Sequence, residues 1–144
     1  MIASPSSLIL KDFAIINTNC EVIPFENSNS DFNTLQNSYP IDIDFGLQED
    51  KNKNLSVVFI KITINPEKEK GYYVFVEGMG VFTFDENSNI SDEEKHKFAP
   101  SAINICITSL RAYIANLTTY YPFGKFNFPT INMTDLLKQK ANLP

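Results

Sequence analysis

Hydrophobic side chains recur every three or four residues through residues 100–121, a stretch with a single charged residue, Arg111. That spacing is typical of one helix face packed on a core. Polar residues such as Asn104 and Thr108 interrupt the stretch, so it predicts a buried helix and not a membrane span. The residues predicted to face the core are Ile103, Cys106, Ile107, Leu110, Tyr113, Ile114, Leu117 and Tyr121.

The opposite side of this predicted helix is small or uncharged, where a solvated helix would carry Glu and Lys. We expect such a side to be covered, either by the rest of the chain or by another copy. The second option predicts an oligomer, to whose interface we also assign two residues of a predicted strand. The predicted interface residues are Ala102, Ile105, Ser109, Ala112, Asn116, Tyr73 and Phe75.

Alternation with a period of two marks the strands. In residues 39–47, apolar Tyr39, Ile41, Ile43, Phe45 and Leu47 alternate with polar residues that include Asp42 and Asp44. Residues 55–64 and 72–84 alternate in the same way, and polar turns join the three segments into an antiparallel meander. Residues 8–23 add a first strand, with a bend or bulge predicted at the Asn and Thr cluster of residues 17–19.

The connections complete the predicted fold. Residues 26–38 predict a loop that is long for a hairpin, and we interpret it as a crossing connection. Gly78 and Gly80 predict a bulge or a close backbone approach. Ser91 has the form of a capping-box residue, and Asn132 can cap a final helix at residues 133–141.

This order of elements predicts an α+β fold, in which a four-stranded antiparallel sheet packs on one long and one short C-terminal helix. We expect one domain over residues 1–144, with the sheet at about residues 8–84 and the helical part at about residues 91–142.

Charge and cysteine content narrow the class of protein. The 144 residues carry a formal net charge of −5, which argues against nucleic-acid binding. The N-terminus lacks the features of a signal peptide, and Cys20 and Cys106 lie far apart without metal-ligand spacing. We therefore expect a cytoplasmic protein with reduced thiols that does not insert into membranes.

Residues able to support enzyme chemistry are sparse. His96 lies in a charged turn, and no base lies near Cys20, so we interpret both as ordinary structural or surface residues. Asp42 and Asp44 share a strand face and could bind a cation, although a solvated face is the simpler interpretation. We expect no catalytic residues, no metal and no cofactor, and hence no enzyme.

The aromatic segment at residues 120–128 has two interpretations that the residues alone leave open. Its Phe rings could pack beneath the helices. Alternatively, they could form a strip of exposed apolar surface suited to an extended apolar peptide.

Two stretches resemble the SecB family of cytosolic chaperones, which hold precursor proteins unfolded for the export machinery. One is YYVFVEGMGVFTF at residues 72–84, and the other is LRAYIANLTTYYPFGKFNFPTINMTDLL at residues 110–137. The resemblance is closest at residues 129–133. It implies a crossover connection in the sheet and a homotetramer assembled as a dimer of dimers, with a dimer as the alternative.

The resemblance also implies aromatic grooves that hold unfolded or precursor polypeptides without ATP. The implied client-binding residues are Phe123, Phe126, Phe128, Ile131, Met133 and Leu137, with Phe32 and Leu35 as weaker candidates. Glu21 lies near a family position that docks the export translocase motor, whereas Asn17 stands where a second acid is expected. Three alternatives stay open: a SecB-like chaperone for another client such as a toxin–antitoxin pair, a non-catalytic binding module for a small apolar ligand, and a structural assembly protein.

Overall fold

The four strands of the computed structural model, which describes residues 1–24 and 30–144, form one antiparallel sheet. The strands are β1 (Leu8–Ile23), β2 (Ile41–Asp50), β3 (Leu55–Ile64) and β4 (Gly71–Phe84), in the order β1-β4-β3-β2. Strands β1 and β2 follow one another in the chain but lie at opposite edges of the sheet, so their connection crosses it. This confirms the predicted crossing connection.

In the residues that the structure describes, four α-helices accompany the sheet: α1 (Ser30–Leu35), α2 (Asp92–His96), α3 (Ala99–Thr118) and α4 (Met133–Ala141). The long α3 and the short α4 confirm the predicted α+β fold. The predicted caps are also present, because the Ser91 hydroxyl accepts from the Glu94 amide at 3.3 Å and the Asn132 side chain accepts from the Asp135 amide at 3.1 Å.

Three predicted boundaries were wrong. Part of the predicted loop is α1, where Phe32 is buried to 1% exposure against the ring of Tyr72. The remainder of that loop prediction, residues 26–29, lies outside the described residues. Strand β2 continues to Asp50, whose carboxylate caps the 3₁₀ turn Lys51–Lys53, and α3 ends at Thr118 rather than at residue 121.

The core lies between α3 and one face of the sheet. Alternate residues of β3 and β4 are buried, and so are five of the eight residues predicted for the inner face of α3. The other three, Tyr113, Leu117 and Tyr121, are half-buried against the same core. The central buried residues are Val58, Ile60, Ile62, Ile64, Val74, Val76, Ile103, Cys106, Ile107, Leu110 and Ile114. Phe59, Phe75 and Met79 lie on the opposite sheet face and remain half-exposed.

Glycines bring α3 close to the sheet. A Cβ at Gly80 would lie 2.5 Å from the Cys106 sulfur, and one at Gly78 would lie 3.0 Å from a Leu110 methyl carbon. The predicted close approach is therefore confirmed. The register shifts occur on the neighbouring strand, between Leu10 and Asp12 and between Ile15 and Asn17, the latter at the edge of the predicted bend.

Candidate functional site

Residues 119–132, which join α3 to α4, are named here the aromatic connection. They have no regular secondary structure, yet burial alternates as in a strand. Phe126 and Phe128 are 0% and 6% exposed, while Lys125, Asn127 and Pro129 between and beside them are exposed. The connection therefore lies on the core as an extended segment with two aromatic rings pointing inward.

The buried Tyr72 of β4 organises the start of the connection. Its hydroxyl accepts from the Phe123 amide and donates to the Gly124 carbonyl, both at 2.9 Å. The Phe32 and Phe123 rings lie 4.8 and 5.5 Å from the Tyr72 ring. Burial raises the pKa of the Tyr72 phenol, which keeps the hydroxyl neutral and able to donate.

The middle of the connection is held by two further side chains. The buried Thr118 hydroxyl accepts from the Phe126 amide at 2.8 Å and donates to the Ile114 carbonyl at 2.8 Å. The Gln36 side chain, just after α1, accepts from the Asn127 amide at 3.3 Å. The bond to Thr118 satisfies the buried Phe126 amide, which has no sheet neighbour, as a buried backbone requires.

Arg111, the one charged residue of α3, holds the far end of the connection. Its guanidinium donates to the Pro129 carbonyl at 3.1 Å and lies 5.7 Å from the centre of the Phe128 ring, within range of a cation–π contact. Its buried Nε has no hydrogen-bond partner within the part of the chain that the structure describes. The one charged side chain of α3 thus holds the aromatic connection through these two contacts.

The structure divides the predicted client-binding residues into two groups. Phe32, Phe126 and Phe128 belong to the core, so the structure does not place them on an exposed groove, and their client-binding role stays a prediction. The others are half-exposed and pack on the edge of the same core. We name them the apolar rim: Leu35, Phe123, Ile131, Met133 and Leu137.

Helix α4 carries part of the apolar rim and has no fully buried residue. Lys140 on this helix donates to the Asp44 carboxylate of β2 at 2.6 Å and lies over the Phe45 ring. The hydrogen bond from Lys140 lowers the pKa of Asp44. Asp44 is therefore engaged by a lysine, and no cluster of metal-ligating side chains occurs in residues 1–24 and 30–144.

The predicted interface residues lie in three different parts of the structure. Ala102 is 4% exposed and lies inside the core, so it offers no free surface to a second copy. Ile105, Ser109, Ala112 and Asn116 lie on the outer side of α3, which carries no charged residue apart from Arg111. Tyr73 and Phe75 lie on the opposite face of the sheet, so they cannot form one surface with α3.

Exposed apolar residues on the edge strand β1 were missed by the sequence analysis. Ile9, Leu10, Ile16 and Val22 are 38% to 53% exposed. The residue types predicted a strand but did not indicate that it lies at the edge. Glu21, the predicted motor-docking residue on this strand, forms an ion pair with Lys68 at 3.0 Å.

His96, Cys20 and Cys106 are the other side chains to consider for reactive chemistry. His96 is exposed and lies 3.8 Å from the Glu49 carboxylate. Burial raises the pKa of the Cys20 thiol and raises that of Cys106 to about 12, so neither is a ready thiolate. Within the described ranges, no helix is long and apolar enough to cross a membrane.

Comparison with known proteins defines the class of fold. No protein-family model matches the chain, and no curated protein matches it by sequence. The chain is similar in structure to the SecB-like chaperone Rv1957 of Mycobacterium tuberculosis, solved in complex with a ChAD peptide from the Rv1956 HigA1 antitoxin. The TM-score is 0.58 at 16% identity, over 88% of this chain and 91% of that chain.

A protein of unknown function from Streptococcus agalactiae is also similar, with a TM-score of 0.44 at 10% identity, over 89% of this chain and all of that chain. That score is too low to define a common fold. The likeness to Rv1957 together with the sheet order and the two C-terminal helices defines the present protein as one with a SecB-like α+β fold.

Proposed function

We propose that this protein is an ATP-independent chaperone that holds unfolded or precursor polypeptides. The observation that carries the proposal is the apolar rim: apolar side chains from α1, the aromatic connection and α4 left half-exposed on the edge of one core. Polypeptide clients offer apolar side chains to such a surface without requiring a catalytic group. The SecB-like fold supports the same function.

Burial energetics are sufficient for holding a client. At about 25 cal/mol per Å² of apolar area, a client that covers roughly 500 Å² of apolar surface gains ~12 kcal/mol before ordering costs. A micromolar complex needs only about 8 kcal/mol net. Phe and Met surfaces adapt to different side chains, and the net charge of −5 favours basic clients, so we expect broad specificity.

The proposal includes a homo-oligomer, either a tetramer built as a dimer of dimers or a dimer. Its support is the uncharged outer side of α3, where exposed Ala112 and Asn116 and half-exposed Ile105 and Ser109 lie. A second copy covering this side would bury apolar and small residues without burying a charge. Multi-angle light scattering of the purified protein tests this, and a monomer at tens of micromolar would contradict it.

Two cytoplasmic client classes follow from different observations. The likeness to Rv1957, whose structure contains an antitoxin peptide, favours a chaperone dedicated to a toxin–antitoxin pair. The export role has weaker support, because the Glu21 carboxylate is paired with Lys68 and Asn17 carries no charge. Co-purification with an antitoxin or with an export motor would distinguish the two.

The test of holding is suppression of aggregation of a reduced, unfolded client without ATP, measured by light scattering. Met133→Gln with Leu137→Gln removes two members of the apolar rim that lie on α4, outside the aromatic connection, and should weaken suppression several-fold. The matched control is Met79→Gln with Val81→Gln, which changes one Met and one aliphatic residue at half-exposed positions on the opposite sheet face.

Equal suppression by the wild type and both double variants would remove the apolar rim as the client surface. No suppression by the wild type would remove the proposed function.

A further inference from the structure

The aromatic connection lies on the core in the way that an extended peptide would bind there. Phe126 and Phe128 point inward at positions i and i+2, and Asn127 between them is exposed. An unfolded chain in extended conformation presents its side chains with the same period. The connection therefore resembles a bound peptide that belongs to the same molecule.

The groups that hold the connection are ones that any polypeptide could use. Thr118 and Gln36 accept from backbone amides, and Arg111 donates to a backbone carbonyl. Backbone amides and carbonyls are the same in every sequence. The Phe126 ring stacks 6.3 Å from the Tyr39 ring, and the Phe128 ring lies under the Arg111 guanidinium. Both ring positions would accept other large apolar side chains.

We propose that Phe126 and Phe128 occupy the client site in the free protein, and that a client segment with large apolar residues at positions i and i+2 displaces them. This inference rests on the proposed function and names its substrate class. The exchange keeps the apolar burial and the hydrogen bonds at the site unchanged, because the client remakes those that the connection loses. The apolar rim then forms the first contact, and the buried ring positions form the second.

Molecules in which the connection covers the site are closed to clients. The apparent affinity is therefore the intrinsic affinity multiplied by the fraction of molecules that are open. A change that strains only the connection should therefore tighten client binding. Gly124 has φ of +81°, a conformation that Ala adopts only with strain, and a Cβ there would meet no atom within 4 Å. Gly124→Ala should bind a client about fivefold more tightly. Gly46→Ala, also free of contacts and without a positive φ, is the matched control and should bind as the wild type does.

The probe is a fluorescein-labelled peptide with the sequence of residues 122–131, PFGKFNFPTI, followed by fluorescence anisotropy. The control peptide exchanges the residues at positions 126 and 127, PFGKNFFPTI, so that the two Phe become adjacent and cannot both point inward. We expect the control to bind at least tenfold more weakly, because it loses the burial of one ring. Equal binding of the two peptides would overturn the i and i+2 requirement.

Hydrogen exchange decides whether displacement occurs. In the free protein, the Phe126 and Asn127 amides are bonded to Thr118 and Gln36 and should be protected. Displacement by an unfolded client predicts that both amides lose protection when the client binds. Increased protection would mean that the client covers the connection, which overturns this inference and leaves the proposed chaperone function intact. Absence of any client binding would instead remove the proposed function.

Discussion

Thr118→Val tests how the aromatic connection is held. The substitution keeps the shape of the side chain and removes the hydroxyl that lies 2.8 Å from the Phe126 amide. Thr118 is fully buried, so the amide would be left without an acceptor away from water. An unsatisfied buried donor costs about 1–3 kcal/mol, whereas the lost bond to the Ile114 carbonyl should cost little because that carbonyl lies within the helix.

We therefore expect Thr118→Val to lower the free energy of unfolding by about 2 kcal/mol, and the midpoint of thermal unfolding by about 6 °C. The assay is circular dichroism at one protein concentration, since an oligomer makes the midpoint depend on concentration. Thr119→Val is the matched control: Thr119 is exposed, and its hydroxyl donates to the Ala115 carbonyl of its own helix. Equal losses in the two variants would refute the assigned role of Thr118.

Three further predictions concern the core. Phe126→Asp with Phe128→Asp places two carboxylates at positions where the wild-type side chains are 0% and 6% exposed. We therefore expect loss of the folded circular dichroism spectrum at neutral pH rather than a selective loss of client binding. Gly80→Ala should destabilise the protein by about 1–3 kcal/mol in urea unfolding, because its Cβ would lie 2.5 Å from the Cys106 sulfur, while Gly46→Ala should change stability by less than about 1 kcal/mol. Burial raises the pKa of Cys106 from 9.0 to about 12, so the thiol ionises at lower pH in the unfolded chain than in the folded one. The free energy of unfolding should therefore fall as pH rises from 9 towards 12. A Cys106→Ala variant should lose less stability over that range, and parallel pH profiles of the two proteins would contradict the assignment.

Periodicity predicted most of the regular structure. Strand β3 and helix α4 begin and end at the predicted residues, and the caps at Ser91 and Asn132 form as expected. These features depend on side chains a few residues apart, which is why a single sequence contains enough information to find them.

The burial of the aromatic connection could not be read from its residues. Both interpretations of residues 120–128 required the same Phe side chains, and the choice between them depends on Tyr39 and Tyr72, which are distant in sequence. Helix α1 was not predicted for the same reason, because its Phe32 is buried against Tyr72 of β4, which is distant in sequence.

The amino-acid sequence by itself determined the strands, the long helix and the inner face of each, because the spacing of apolar residues decides which side of an element can be buried. Only the tertiary structure decided which apolar residues stay accessible: Ile9 and Ile16 on the edge strand are exposed, whereas Phe126 and Phe128 are enclosed. The physical reason is that accessibility depends on which distant element lies on a surface, and no local pattern encodes that placement.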